Sequence, residues 1–174
     1  MRFIKPFLVG ITGLFIVITL LSLLIPAHIK VSRAIVINAP ADTIAAQIKD
    51  LRNWKNWQPL FKSEAAVITF PAPTGNAPAY CDISYNNKIV HVQVTGTDSL
   101  SVRFLLSAAG EDDIENELTI IPVKQQDQFE VEWKGLTILP WYPWEKFYGI
   151  FIDKITGPSY DASLAALKNY IESK

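Results

Sequence analysis

The sequence predicts an α+β protein: an N-terminal transmembrane helix, then a curved antiparallel sheet of about 6–7 strands wrapped on a long C-terminal helix, with two short helices after the first strand. Three observations carry this reading. Residues 6 to 27 hold no charged side chain. The segments between Ile29 and Lys134 alternate apolar and polar residues, the period of half-buried strands. Tyr160, Leu164, Leu167 and Ile171 recur at the spacing of one helix face.

The apolar start comes first. Phe7 to Ile25 is 19 residues, and a helix of that length spans ~28 Å, close to the hydrocarbon thickness of a bilayer. Arg2 and Lys5 precede it, and His28, Lys30 and Arg33 follow it. A cleaved signal peptide is the competing reading. Its apolar region would be too long, and Pro26-Ala27-His28 gives no clean small-x-small cleavage site. Residues 1–27 are therefore read as a membrane anchor and residues 28–174 as the folded domain. The short basic leader favours a single-pass protein with its N-terminus in the cytoplasm and its domain outside.

Composition excludes several function classes. The formal net charge is −1, so no basic footprint argues for nucleic acid. One cysteine, Cys81, rules out an internal disulfide or a multi-cysteine metal site. The two histidines, His28 and His91, lie far apart in sequence, which argues against a histidine-rich metal centre. No metal and no cofactor is expected.

In the first strand Ile29, Val31, Ile35 and Ile37 share a face with Arg33. Arg33 is read as a side chain reaching water past that face, or as a buried cation awaiting an acidic ligand group. Asn38-Ala39-Pro40 ends the strand and opens a helix with Ile44, Ile48 and Leu51 on its apolar face and Asp42 near the positive end of its dipole. Asp50 to Trp57 continues into a turn and a second short helix, with Trp54 and Trp57 three residues apart. Ala66 to Phe70 reads as a strand, and Pro71 to Pro78 as a loop.

Ala79 to Val94 reads as a hairpin turning at Asn86-Asn87, because Asn tolerates the positive φ of such turns. In that register Cys81, Ile83, Tyr85, Val90, Val92 and Val94 face one way, and Asp82 pairs with His91 on the other face. An Asp–His pair invites a general-base reading, but no nucleophile stands beside it in sequence, so an exposed cross-strand pair is expected. Cys81 is expected inside as a small core residue. Leu100 to Ser107 is a further strand. The acidic run Gly110 to Glu117 reads as a solvated turn, since it lacks the ligand spacing of a calcium loop. Leu118 to Val123 and Gln128 to Lys134 form another hairpin, with Phe129, Val131 and Trp133 inward.

Leu139 to Trp144 is a stiff aromatic connection that can pack as core, line a cavity mouth or touch lipid headgroups. It leads into one long helix from Pro143 to Glu172. Phe147, Phe151 and Ile155 are taken as its upstream inner face, one residue out of phase with Tyr160 to Ile171, and a kink is expected at Gly157-Pro158 between them.

Three segments resemble a known family. Val31-Ser32-Arg33-Ala34-Ile35-Val36-Ile37-Asn38-Ala39-Pro40-Ala41-Asp42 resembles the opening of the START-like helix-grip superfamily (SRPBCC, including polyketide cyclase/dehydrase-like proteins). Asp50 to Pro59 resembles its Asp…Trp-x-x-Trp segment, and Asp153 to Tyr160 with Leu164 to Lys168 resembles the last helix of its single-pass, membrane-anchored members. The resemblance spans about residues 28 to 174 and implies a helix-grip fold with a cavity between sheet and helix.

With the inward aromatics and the anchor, that implies membrane-tethered binding of a hydrophobic small molecule or lipid. The expected lining is Trp57, Tyr85, Phe104, Trp133, Phe147 and Phe151, with Arg33 as a polar contact. A cyclase-like enzyme is the first alternative. It needs a general base and an oxyanion stabiliser converging on the cavity, and the inward faces carry almost no titratable group except Arg33, so no catalytic residue is assigned. A protein-interaction module using the aromatic connection is the second alternative.

Overall fold

The computed structural model describes residues 4–72, 77–123 and 128–173, so residues 73–76 of the expected 71–78 loop lie outside the described residues. Helix α1 (Ile4–Ser22) is long and apolar enough to cross a membrane. Strand β1 (His28–Asn38) follows within a few residues, then α2 (Ala41–Lys49), a 3-10 turn at Leu51–Asn56 and the short α3 (Pro59–Lys62). The side chain of Asp50 caps the 3-10 turn by accepting from the Arg52 amide at 2.9 Å.

Six more strands come next: β2 (Val67–Thr69), β3 (Tyr80–Tyr85), β4 (Lys88–Thr97), β5 (Ser101–Ala108), β6 (Ile114–Pro122) and β7 (Gln128–Ile138). They form one seven-stranded antiparallel sheet in the order β1-β7-β6-β5-β4-β3-β2. The first strand therefore pairs with the last, from His28↔Ile138 to Asn38↔Gln128. The β3–β4 hairpin has the expected register: Asn86 and Asn87 take φ of 47° and 61°, and Asp82 faces His91. Cys81 is buried, as its parity requires.

The acidic run is not all turn. Only its first part bends the chain; Ile114 onward is β6. Ile114, Asn116, Leu118 and Ile120 turn to the inner face while Glu115 and Glu117 turn out, and Glu117 stands opposite both Arg103 and Lys134. The carboxylates occupy alternate positions, so they leave the strand's inner face intact.

The C-terminal segment also departs from expectation. It is two helices, α4 (Pro143–Gly149) and α5 (Ile152–Glu172), which part at Ile150 and Phe151. Pro158 lies inside α5 without ending it. The buried side of α5 runs Ile152, Gly157, Tyr160, Leu164, Leu167 and Ile171, continuous through the glycine and proline. Phe147, Phe151 and Ile155 are not on that side; all three are exposed. The apparent phase slip arose because this outer stripe has core-like composition.

Arg33 explains Gly157. The guanidinium reaches off the sheet and lies on α5, where a Cβ at position 157 would stand inside 3.0 Å of it. There it donates to both Asp153 oxygens at 2.9 and 3.0 Å and to Asp161 at 3.2 Å. The glycine makes room for a two-pronged clamp between β1 and α5. Further along, burial of Leu164, Leu167 and Ile171 against the sheet stabilises by about 1.5–3 kcal/mol per side chain.

Candidate ligand-binding site

The deepest part of the space between sheet and α5 is filled. Trp54 and Trp57, set by the 3-10 turn and its C-cap, meet Phe104 from β5, Trp133 from β7 and Tyr160 from α5. Ring centroids are 4.9 Å apart for Trp54–Phe104, 6.4 Å for Trp57–Trp133 and 5.9 Å for Phe104–Trp133. Tyr160 stacks on Trp133 at 4.7 Å and 12°. Such pairs contribute about 0.5–1.5 kcal/mol each beyond area burial.

The polar edges of these rings are all engaged. Trp54 Nε1 donates to the Ile48 carbonyl at 3.0 Å and Trp57 Nε1 to that of Gln47 at 3.2 Å. Asn116 Oδ1 accepts from Trp133 Nε1 at 2.9 Å and from the Tyr160 hydroxyl at 2.8 Å. Burial pushes the Tyr160 hydroxyl up to about 12, so it stays protonated and donating. Among the described residues no buried side-chain polar atom lacks a partner.

Beside this aromatic plug lies a hollow of about 490 Å³, within the size range of small-ligand pockets. Val31, Ile114, Thr137 and Leu139 form its sheet side. Tyr148, Ile152, Thr156 and Tyr160 form its helix side, and Tyr142, Trp144 and Glu145 its mouth. Gly110, Glu111 and Asp112 of the β5–β6 turn close the remaining edge. Glu111 is paired with Lys88, which leaves Asp112 and Glu145 as the rim charges.

A larger hollow, about 630 Å³, is not between sheet and helix. It includes outward-facing Lys30, Arg103, Glu115, Glu117 and Lys134. Two of its cations are already neutralised, Lys134 by Glu132 at 2.7 Å and Arg103 by Asp98 at 3.3 Å. The smaller hollow is the better ligand site because it lies between the sheet and α5, with polar and apolar groups sharing its walls. Among the described residues no group of His, Cys, Asp or Glu is placed to hold a metal ion. Asp82 Oδ1 and His91 Nδ1 lie within hydrogen-bond distance at 2.6 Å on the outer face, both side chains half-exposed.

The seven residues expected to line the cavity separate into four places. Trp57, Phe104 and Trp133 meet in the aromatic plug. Arg33 serves the clamp on α5, and Tyr85 lies at the exposed tip of the β3–β4 hairpin, opposite Lys88. Phe147 and Phe151 face outward from α4 and the start of α5. None of the seven touches the 490 Å³ hollow. Its own lining includes Tyr148 and Ile152, from the segment where the sequence places the cavity mouth, and Ile114, Thr156 and Tyr160, which sequence reasoning did not single out as a site. For Tyr160 the available signal was Asn116, its hydrogen-bond partner, a lone polar residue at an inward position between Ile114 and Leu118.

The family of this fold is shown by sequence. A model described as "Polyketide cyclase / dehydrase and lipid transport" matches residues 28–172, and the chain belongs to that family. No curated protein matches the sequence. Solved structures share the fold at low identity. A START superfamily protein from Mycobacterium smegmatis is 16% identical, with a TM-score of 0.63 over 83% of this chain and 98% of its own. A protein from Nitrosospira multiformis is 18% identical, with a TM-score of 0.61 over 83% of this chain and 98% of its own. The di-domain aromatase/cyclase BexL of the BE-7585A biosynthetic pathway is 16% identical, with a TM-score of 0.62 over 82% of this chain and 46% of its own.

Proposed function

We propose that this chain is a membrane-tethered binding domain for a hydrophobic small molecule or lipid, held between the sheet and α5. The observation that carries the reading is the hollow of about 490 Å³ under α5, where Val31, Ile114, Leu139 and Ile152 supply an apolar part of an otherwise mixed lining. Residues 1–27 supply the tether, with the N-terminus cytoplasmic and the domain 28–174 extracytoplasmic. Asp112 and Glu145 at the rim disfavour an anionic head group, so the ligand is neutral or cationic at its polar end. The aromatic plug keeps the ligand shallow, with Tyr160 and Ile152 as its floor.

Turnover is the weaker reading. A cyclase-like reaction needs a base and an oxyanion donor at one point. In this hollow the Tyr160 hydroxyl is committed to Asn116, and the carboxylates stand at the rim.

Native mass spectrometry of the full chain in mild detergent, with and without added monoolein, tests binding. Wild type should carry one apolar adduct, and Ile114→Trp, which fills the hollow from β6, should lose it while keeping its melting temperature. A wild-type spectrum with no adduct under either condition would overturn the reading.

A further inference from the structure

The end of α1 and the outside of α4 form one continuous surface. Along α1 only Ile18 and Thr19 are half-buried and only Ser22 is buried. Tighter turns carry the helix on to Ile25, whose amide donates to the Ser22 carbonyl at 3.1 Å. Helix α4 packs against α1. Lys146, buried in α4, donates from Nζ to the Ile25 carbonyl at 3.1 Å. A lysine there satisfies an open carbonyl and meets the negative end of the α1 dipole. From Ile18 to Ile25 is ~10 Å along the helix axis, so α4 meets α1 within the last ~10 Å of its apolar length.

That depth is where amphipathic helices rest when they lie in a membrane surface, ~5–10 Å into the boundary between head groups and acyl chains. The exposed side of α4 has the matching chemistry. Trp141 is 65% exposed and Trp144 60% exposed, and Tyr142 stacks on Trp144 at 5.2 Å. Phe147, Tyr148, Ile150 and Phe151 follow, all exposed, and residues 147–152 hold no charge. Contiguous apolar surface of this kind marks a contact with lipid or another protein. Its continuity with α1 selects lipid.

We propose that α4 and the first turn of α5 lie in the head-group boundary of the leaflet from which α1 emerges. Trp and Tyr side chains anchor this layer. Tyr142, Trp144 and Tyr148 belong both to this surface and to the lining of the 490 Å³ hollow. The hollow therefore opens onto the bilayer, and its occupant is a lipid taken directly from that leaflet. This inference rests on the membrane-tether reading above.

The test uses the full chain in lipid nanodiscs with Cys81→Ala as background. A nitroxide is placed at single cysteines introduced by Leu14→Cys, Trp144→Cys, Phe151→Cys or Glu64→Cys. Collision with oxygen, which concentrates in lipid, is compared with collision with a water-soluble nickel chelate. Positions 14, 144 and 151 should be oxygen-dominated and position 64 nickel-dominated. Positions 144 and 151 as nickel-accessible as position 64, with position 14 still in lipid, would overturn this inference and leave the tether standing. A nickel-accessible position 14 would overturn the tether and this inference together.

Discussion

Tyr160 lies directly over Gly135: a Cβ at position 135 would stand inside 3.0 Å of the Tyr160 hydroxyl. The sheet gives up a side chain so that α5 can bring Tyr160 down onto Trp133. Gly135→Ala should push the ring away, weaken the bond to Asn116 and destabilise the domain by about 1–3 kcal/mol. Denaturant unfolding in nanodiscs measures the loss. An unchanged midpoint would mean that α5 shifts without cost.

Asn116 and Tyr160 are unequal partners. Tyr160→Phe removes one donor, but Asn116 Oδ1 still accepts from Trp133 at 2.9 Å. The expected cost is about 1 kcal/mol. Asn116→Leu strands two buried donors, Trp133 Nε1 and the Tyr160 hydroxyl, at a cost of about 2–5 kcal/mol. Equal effects of the two substitutions in thermal unfolding would refute the shared-acceptor arrangement.

These relationships mark the limit of what the sequence reveals. Strand registers are legible because parity is strict: one apolar face fixes Asp82 opposite His91, and Asn86-Asn87 fixes the turn. β6 is harder to see because carboxylates at 115 and 117 resemble a solvated turn when counted rather than phased. The inner face of α5 is disguised twice. Thr156 and Gly157 interrupt its apolar character, while Phe147, Phe151 and Ile155 supply a better-looking stripe that faces out. Hydrophobic spacing identifies a buried face only where the exterior is water. The hollow is harder still, since its walls come from strand ends and helix turns that only the folded chain brings together.

The Arg33 clamp predicts a direction for pH dependence. The hydrogen bonds from Arg33 hold the Asp153 carboxyl below its ordinary 3.8. Arg52 does the same for Asp50, and Lys134 with Ser32 hold Glu132 below 4.5. A carboxylate with a depressed folded-state pKa contributes stability that is complete above its unfolded value. That stability is lost as pH falls through the folded value. Melting temperature should therefore hold from neutrality to about pH 5 and decline toward pH 3. Arg33→Ala should flatten part of the decline and loosen the N-terminal half of α5, seen as faster amide exchange there. An identical acid profile in wild type and variant would remove the clamp from the argument.

Cys81 gives a probe of the same sheet. It is fully buried in β3, and burial with the neighbouring Asp82 charge pushes its thiol up to about 12. The thiolate is the reactive form, so at pH 8 only ~10⁻⁴ of even an accessible thiol with that pKa would react. Folded protein should therefore resist iodoacetamide, and labelling should proceed only through opening of the β3–β4 region. Gly135→Ala and Asn116→Leu act on β6, β7 and α5, at the other side of the sheet. If the sheet opens as one unit, both variants should speed labelling in proportion to their loss of stability. If β2, β3 and β4 open by themselves, labelling should be the same in wild type and both variants. Fast labelling of the wild type at neutral pH would place Cys81 outside the core and contradict the inward parity of β3.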